Sequence, residues 1–321
     1  PNIARVLDAG EMEGGRPYFV MDLVSGLPIT DYCDKHRLGL EDRLELFLQV
    51  CQGIQHAHQK AIIHRDIKPS NVVVTVNANQ PIPKVIDFGI AKAMGAELTM
   101  KTYFTFAGQI VGTPAYMSPE QAAADPSDVD TRSDIYSLGV LLNELLTGQT
   151  PIGAEDLKGA GLEQMLRMIR EHDTVKPSTL LTRLDRESVD AITSKRNTGM
   201  ARLFHYLKGD LDWLVLKALE KDRSRRYETA NALGNDVRSF LRNEPILATP
   251  PTLRYRLGKV MRRHKGPIIA GSTVTLALVG GLVASLSQAN RASHEATRAR
   301  SAEEAALENL GIAIEERKNA K

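Results

Sequence analysis

Four polar side chains could do chemistry together: Asp66, Lys68, Asn71 and Asp87. The first three fall in the stretch I-H-R-D-I-K-P-S-N, Ile63 to Asn71, and the fourth opens the triplet Asp87-Phe88-Gly89. A carboxylate can take a proton from a hydroxyl group. An amine two residues away, on the same face of an extended loop, can neutralise an anion. Carboxylate and carboxamide oxygens are the ligands that a hard cation such as magnesium prefers. Taken alone, an H-R-D triplet reads as a surface loop with a salt bridge.

Two more motifs follow in order: G-T-P-A-Y-M-S-P-E, ending on Ser118-Pro119-Glu120, and K-D-R-S-R-R-Y, which contains Arg226. H-R-D, D-F-G and S-P-E, in this order and at this spacing, resemble the C-terminal part of a serine/threonine protein kinase of the bacterial, eukaryotic-like (Hanks) kind. The resemblance covers Pro1 to about Glu244. It implies a protein kinase-like α+β fold, ATP and Mg²⁺ as cofactors, and protein Ser/Thr hydroxyls as acceptors.

The resemblance also implies residue roles. Asp66 would orient the acceptor hydroxyl, Lys68 would reach the γ-phosphate, and Asn71 and Asp87 would hold the metal. Thr113 would bond Asp66 and Lys68 and help select Ser/Thr hydroxyls. Met21 would stand as gatekeeper beside the adenine. The backbone of Asp22 and Val24 would form the hinge, and Val73 the floor under the base. His64 and Phe88 would stack and couple the metal aspartate, followed by Gly89, to the loop. Arg65 would pair with a phosphate on the segment between Asp87 and Glu120, with Thr99, Thr102 and Thr105 as candidate acceptors. Glu120 would form a buried ion pair with Arg226, and Asp134 would bond the backbone of the H-R-D loop.

Regular elements must position these groups. Leu40 to Gln59 carries Leu40, Leu44, Phe47, Cys51, Ile54 and His58 at helical spacing, with Glu41 and Asp42 in its first turn. This predicts an amphipathic helix leading straight into the loop. Cys51 belongs to its core stripe, and His56 has no metal-site spacing around it. Ile3–Gly10 and Pro17–Leu23 read as strands around a glycine turn. Val72–Val76 and Lys84–Ile86 read as a second pair, joined by a polar turn N-A-N-Q-P-I-P. Asp130–Thr147 reads as an apolar helix closed by Gly148. Leu162–Arg170 is helical in period, K-P-S-T breaks it, and Asp210–Leu219 and Tyr227–Arg242 are further helices. Trp213 reads as a core anchor.

The chain has 321 residues, 42% of them hydrophobic, and a net charge of +2. The charge is unevenly spread and specifies no partner, and no nucleic acid is expected. Two cysteines, Cys33 and Cys51, give no disulfide framework and suit a reducing compartment. Pro250 and Pro251 mark a linker, followed by a basic run from Arg254 to Lys265. Pro267–Leu286 is free of charge; as a helix it would span ~30 Å, the thickness of a bilayer core. The excess of Arg and Lys before this span puts the kinase domain in the cytoplasm, behind a single-pass anchor in the inner membrane. Ala277, Gly281 and Ser285 form a small-residue face that could pair helices into a dimer.

The expected organisation is a two-strand N-lobe remnant with hinge (1–24), a C-lobe (25–246), a basic juxtamembrane linker (247–266), a transmembrane helix (267–286) and an extracytoplasmic helical segment (287–321). No glycine-rich loop and no V-A-I-K-type lysine precedes the hinge. The chain therefore reads as a fragment that alone binds ATP poorly. Two rival readings are a pseudokinase and a membrane scaffold whose outer helices bind partners. Intact Asp66, Lys68, Asn71 and Asp87 favour the enzyme.

Overall fold

The computed structural model describes residues 1–12, 16–88, 114–123, 129–153, 161–249 and 265–319. The chain forms two compact units, Pro1–Lys259 and Val260–Lys321.

The first unit opens with an antiparallel pair, β1 (Val6–Met12) and β2 (Arg16–Met21). A three-stranded antiparallel sheet follows in the order β3 (Leu27–Pro28), β4 (Val72–Asn77), β5 (Gln80–Val85). Between β3 and β4 run α1 (Ile29–Lys35) and α2 (Leu40–Gln59). The predicted bounds of α2 are met. It buries Leu44, Phe47, Cys51 and Ile54, and His56 is exposed. Burial pushes the Cys51 thiol well above its usual range, as expected of a core thiol.

The β4–β5 turn is tighter than the sequence predicts. Only Ala78 and Asn79 make it, with φ of 48° and 63°, the left-handed pair of a two-residue hairpin turn. Pro81 and Pro83 lie inside β5. Val85, of the same parity, donates its N–H away from β4 to the Asn2 carbonyl at 2.8 Å. Residues 81 and 83 therefore face that same edge, and the prolines forfeit no ladder bond.

The body of the unit is helical. Thr131–Thr147 (α3) is buried over nearly its whole length. Asp130 caps its start by accepting from Arg132 N, and Gly148 ends it at φ 76°. Then come α4 (Leu162–Glu171), α5 (Pro177–Arg183), α6 (Arg186–Lys195), α7 (Met200–Leu207), α8 (Asp210–Ala218) and α9 (Ala230–Leu241).

Three expectations need correcting here. K-P-S-T starts a helix rather than only ending one, because Pro177 sits at the first helical position, where its missing N–H costs nothing. Ser178 then anchors that start by donating N–H and hydroxyl to the buried Asp212 at 2.9 and 2.7 Å. Trp213 is no core anchor. The buried side of α8 is Leu211, Leu214, Val215 and Ala218, which leaves Trp213 40% exposed with Lys176 Nζ 5.5 Å from its ring. Finally, α9 begins at Ala230 behind the Thr229 cap, and Tyr227 is a buried loop residue bonded to Asp236.

The second unit holds α10 (Lys265–Asn319), an uninterrupted helix that includes the charge-free run Pro267–Leu286. By length and composition, one helix among the described residues is able to cross a membrane.

Candidate active site

The loop from Lys60 to Asn71 is held by side chains of two helices, α2 and α3. Asp134, in the first turn of α3, is buried, and its carboxylate accepts the N–H of His64 and of Arg65, both at 2.8 Å. His58 on α2 places Nε2 2.7 Å from the same carboxylate. A carboxylate only accepts, so that ring nitrogen carries a proton. A buried carboxylate needs such donors, and here each one is also a strut for the loop.

His64 is fully buried, and burial pushes its pKa down, which favours the neutral ring. A single tautomer satisfies both contacts of that ring: Nε2–H donates to the Ile86 carbonyl at 3.0 Å, and Nδ1 accepts the Asp66 N–H at 3.3 Å. Phe88 lies against it with ring centroids 4.6 Å apart. His64 thus ties the H-R-D loop to the end of β5, one residue before Asp87.

Asp66, Lys68 and Asn71 converge. Lys68 Nζ is 2.9 Å from Asp66 Oδ2, and Asn71 Nδ2 donates to the same oxygen at 3.0 Å. Asn71 Nδ2 also donates to the Asp66 carbonyl at 2.9 Å. Asn71 closes a short 3₁₀ turn, Pro69–Asn71, and its backbone carbonyl accepts Ile86 N–H at 2.9 Å. Asp87 follows directly, exposed and at φ 55°, a left-handed conformation uncommon for a residue with a side chain. This lattice of bonds brings Asp87 to the neighbourhood of Asn71.

The donor set fits a magnesium ion. The Asn71 amide nitrogen is committed to Asp66, so its amide is oriented with Oδ1 as the available acceptor, where Ser70 Oγ also donates at 3.3 Å. Asp87 adds a solvent-facing carboxylate. Among the described residues no group of three or more His, Cys, Asp or Glu could hold a metal. Magnesium suits such a sparse site, because it keeps water and shares phosphate oxygens instead of entering an all-protein cage.

Met21 ends β2 opposite Val6. Asp22 donates its N–H to the Arg5 carbonyl at 2.9 Å and pairs with the Arg5 guanidinium at 2.9 Å, which holds its carboxyl below the usual range. Beyond Val24, Gly26 passes against β4, where a Cβ would lie 2.2 Å from the Val74 carbonyl. Val73 is buried and pairs with Pro28.

Glu120 and Arg226 meet in the interior through two bonds, 2.7 and 2.8 Å. Ser133 Oγ donates to Glu120 at 2.6 Å, and Arg226 also donates to the carbonyls of Arg132, Glu220 and Lys221. Gly89, Thr99, Thr102, Thr105 and Thr113 lie outside the described residues. Sequence reasoning missed three participants: His58, Ser133 and Gln121, whose Nε2 donates to the Arg65 carbonyl at 2.8 Å. His58 was hidden by its place in an apolar stripe, and the other two look like ordinary polar residues.

The family model for the protein kinase domain matches residues 1–237. The chain belongs to the protein kinase family. Its relatives include bacterial serine/threonine-protein kinases. It is 35% identical over 241 residues to serine/threonine-protein kinase PknB of Mycobacterium leprae, covering 74% of this chain and 33% of that protein. It is 38% identical over 178 residues to serine/threonine-protein kinase Pkn1 of Myxococcus xanthus, covering 55% of this chain and 24% of that protein. The chain thus spans a third or less of the length of these two relatives. In fold it is similar to a crystal structure of a double mutant of the Mycobacterium tuberculosis PknI kinase domain, with a TM-score of 0.51 at 22% identity, covering 75% of this chain and 72% of that one. The kinase-like fold, helical with few strands, is thereby shared.

Proposed function

We propose that the protein containing this chain transfers the γ-phosphate of ATP to Ser and Thr hydroxyls of proteins, from a membrane-anchored position. The observation that carries this reading is the convergence of Lys68 and Asn71 on the Asp66 carboxylate. Such a carboxylate can accept the proton of an incoming hydroxyl. Lys68 stands beside it as the cation for the γ-phosphate, and Asn71 with Asp87 would hold Mg²⁺, which neutralises phosphate charge when bound. In the same reading Met21, Asp22, Val24 and Val73 bind the adenine, and Thr113 selects the acceptor. Arg65 pairs with a phosphate carried on Thr99, Thr102 or Thr105. Alanine at all three threonines with activity unchanged would remove that last part.

The membrane part of the proposal assigns 1–24 to the N-lobe remnant, 25–246 to the C-lobe, 247–266 to the basic linker, 267–286 to the membrane and 287–321 to the far side, with the catalytic unit in the cytoplasm. Because residues 1–321 carry no glycine-rich loop and no V-A-I-K-type lysine ahead of the hinge, they are expected to bind ATP weakly by themselves.

The test is Asp66→Asn in the intact protein. Proton transfer by a positioned side chain contributes about 10²–10⁴-fold, so kcat should fall by that order while ATP binding is kept. An Asp66→Asn protein that phosphorylates at the wild-type rate would sink the proposal.

A further inference from the structure

Arg65 has a backbone φ of 64°, a left-handed conformation that a residue with a side chain holds only when its surroundings impose it. Two side chains grip it. Its N–H donates to Asp134 Oδ1 at 2.8 Å, and its carbonyl accepts from Gln121 Nε2 at 2.8 Å. The peptide that joins Arg65 to Asp66 is therefore fixed at its oxygen by Gln121 and at its nitrogen by His64. Rotation of that peptide would swing the Asp66 carboxylate away from Lys68 and Asn71.

Gln121 is itself oriented without ambiguity. Its Oε1 accepts the N–H and the hydroxyl of Ser118 at 3.0 and 3.1 Å. One end of the side chain must accept and the other must donate, which only a carboxamide or a protonated carboxyl does at this length. The preceding residue, Glu120, is bolted to Arg226. The S-P-E-Q turn thus joins the body of the unit to the residue before the proposed base.

We propose that Gln121 is a positioning residue, whose amide sets the Arg65–Asp66 peptide and through it the reacting geometry of the Asp66 carboxylate. This rests on the kinase reading above. Ionised glutamate at 121 would keep the Ser118 contacts but could not donate to the Arg65 carbonyl. Leucine would lose both ends.

The experiment compares wild type, Gln121→Leu and Gln121→Glu in the intact protein. It measures kcat and KM for ATP between pH 5.5 and 8, and hydrogen exchange of the Asp66 amide. For Gln121→Leu, kcat should fall about tenfold or more with KM for ATP within about twofold, since small misplacements of a reacting group are costly. The Asp66 amide should exchange about tenfold faster, because its peptide is released. For Gln121→Glu, the ratio of kcat to wild type should rise as pH falls and the carboxyl gains its donor proton. Unchanged kcat and unchanged exchange in Gln121→Leu would overturn the inference. So would a Gln121→Glu ratio flat with pH, and that result decides the matter if the leucine variant does not fold. Faster exchange in a protein whose wild type transfers no phosphate would keep the positioning role and defeat the kinase reading instead.

Discussion

At the scale of single residues, the interior of the first unit holds a charged pair. Glu120 and Arg226 are both buried and joined by two bonds. Removing one partner strands the other, so Arg226→Ala should cost about 3–5 kcal/mol in urea unfolding. Burial alone would raise the Glu120 carboxyl, but the Arg226 guanidinium and the Ser133 hydroxyl outweigh it and hold the pKa below the ordinary 4.5. A carboxyl lowered on folding stabilises fully above its unfolded pKa and loses that stabilisation as pH falls through its folded one. Glu120→Gln should therefore be less stable than wild type at pH 7, and the gap should narrow as pH drops below 4.5. Equal gaps at pH 7 and pH 3, followed by thermal melting, would contradict this. The convergence of Lys68 and Asn71 on Asp66 is legible because those residue types and their spacing are distinctive. His58 and Gln121 are not, since what they do depends on neighbours 76 and 56 positions away.

At the scale of elements, α3 organises the unit, and both of its ends are fastened. The start is legible to within a residue, with Asp134 in its first turn. So is the finish at Gly148. The clamp beyond it was not. Arg43 from α2 and Arg196 after α6 are both buried, and Arg196 donates to the carbonyls of Glu144, Leu145 and Leu146. Burial and the neighbouring Arg43 push the Arg196 pKa down to about 10. Asp34 accepts from Arg43 at 2.9 Å. No periodicity announces an arginine that caps a distant helix. Residues 177–207, three short helices with Arg196 among them, supply this cap. Arg196→Ala should lower stability by about 3 kcal/mol, the order expected when buried carbonyls lose their donors. Lysine there should recover only part, having no planar fork to span three acceptors. Gly148→Ala should cost about 1 kcal/mol, because φ is 76° and the new methyl meets Arg196 Nη2 at 3.3 Å.

At the scale of the whole molecule, the unit Pro1–Lys259 contains the buried core and the unit Val260–Lys321 contains the long helix Lys265–Asn319. Chain ending at Thr249 should melt at the same temperature as the full 321 residues and differ in needing no detergent. A drop of more than a few degrees would show that the helix contributes to the fold of the first unit. The fold class is readable from motif order. The tight β4–β5 turn and the helical start at Pro177 are not, because proline in a sequence signals a break, whereas an edge position and the first helical turn both tolerate it. The anchoring of α3 at each extremity has a kinetic corollary. Its central amides have no small local opening available to them, so deuterium should reach Leu138–Leu142 only when the entire unit comes apart, at a rate that reports global unfolding.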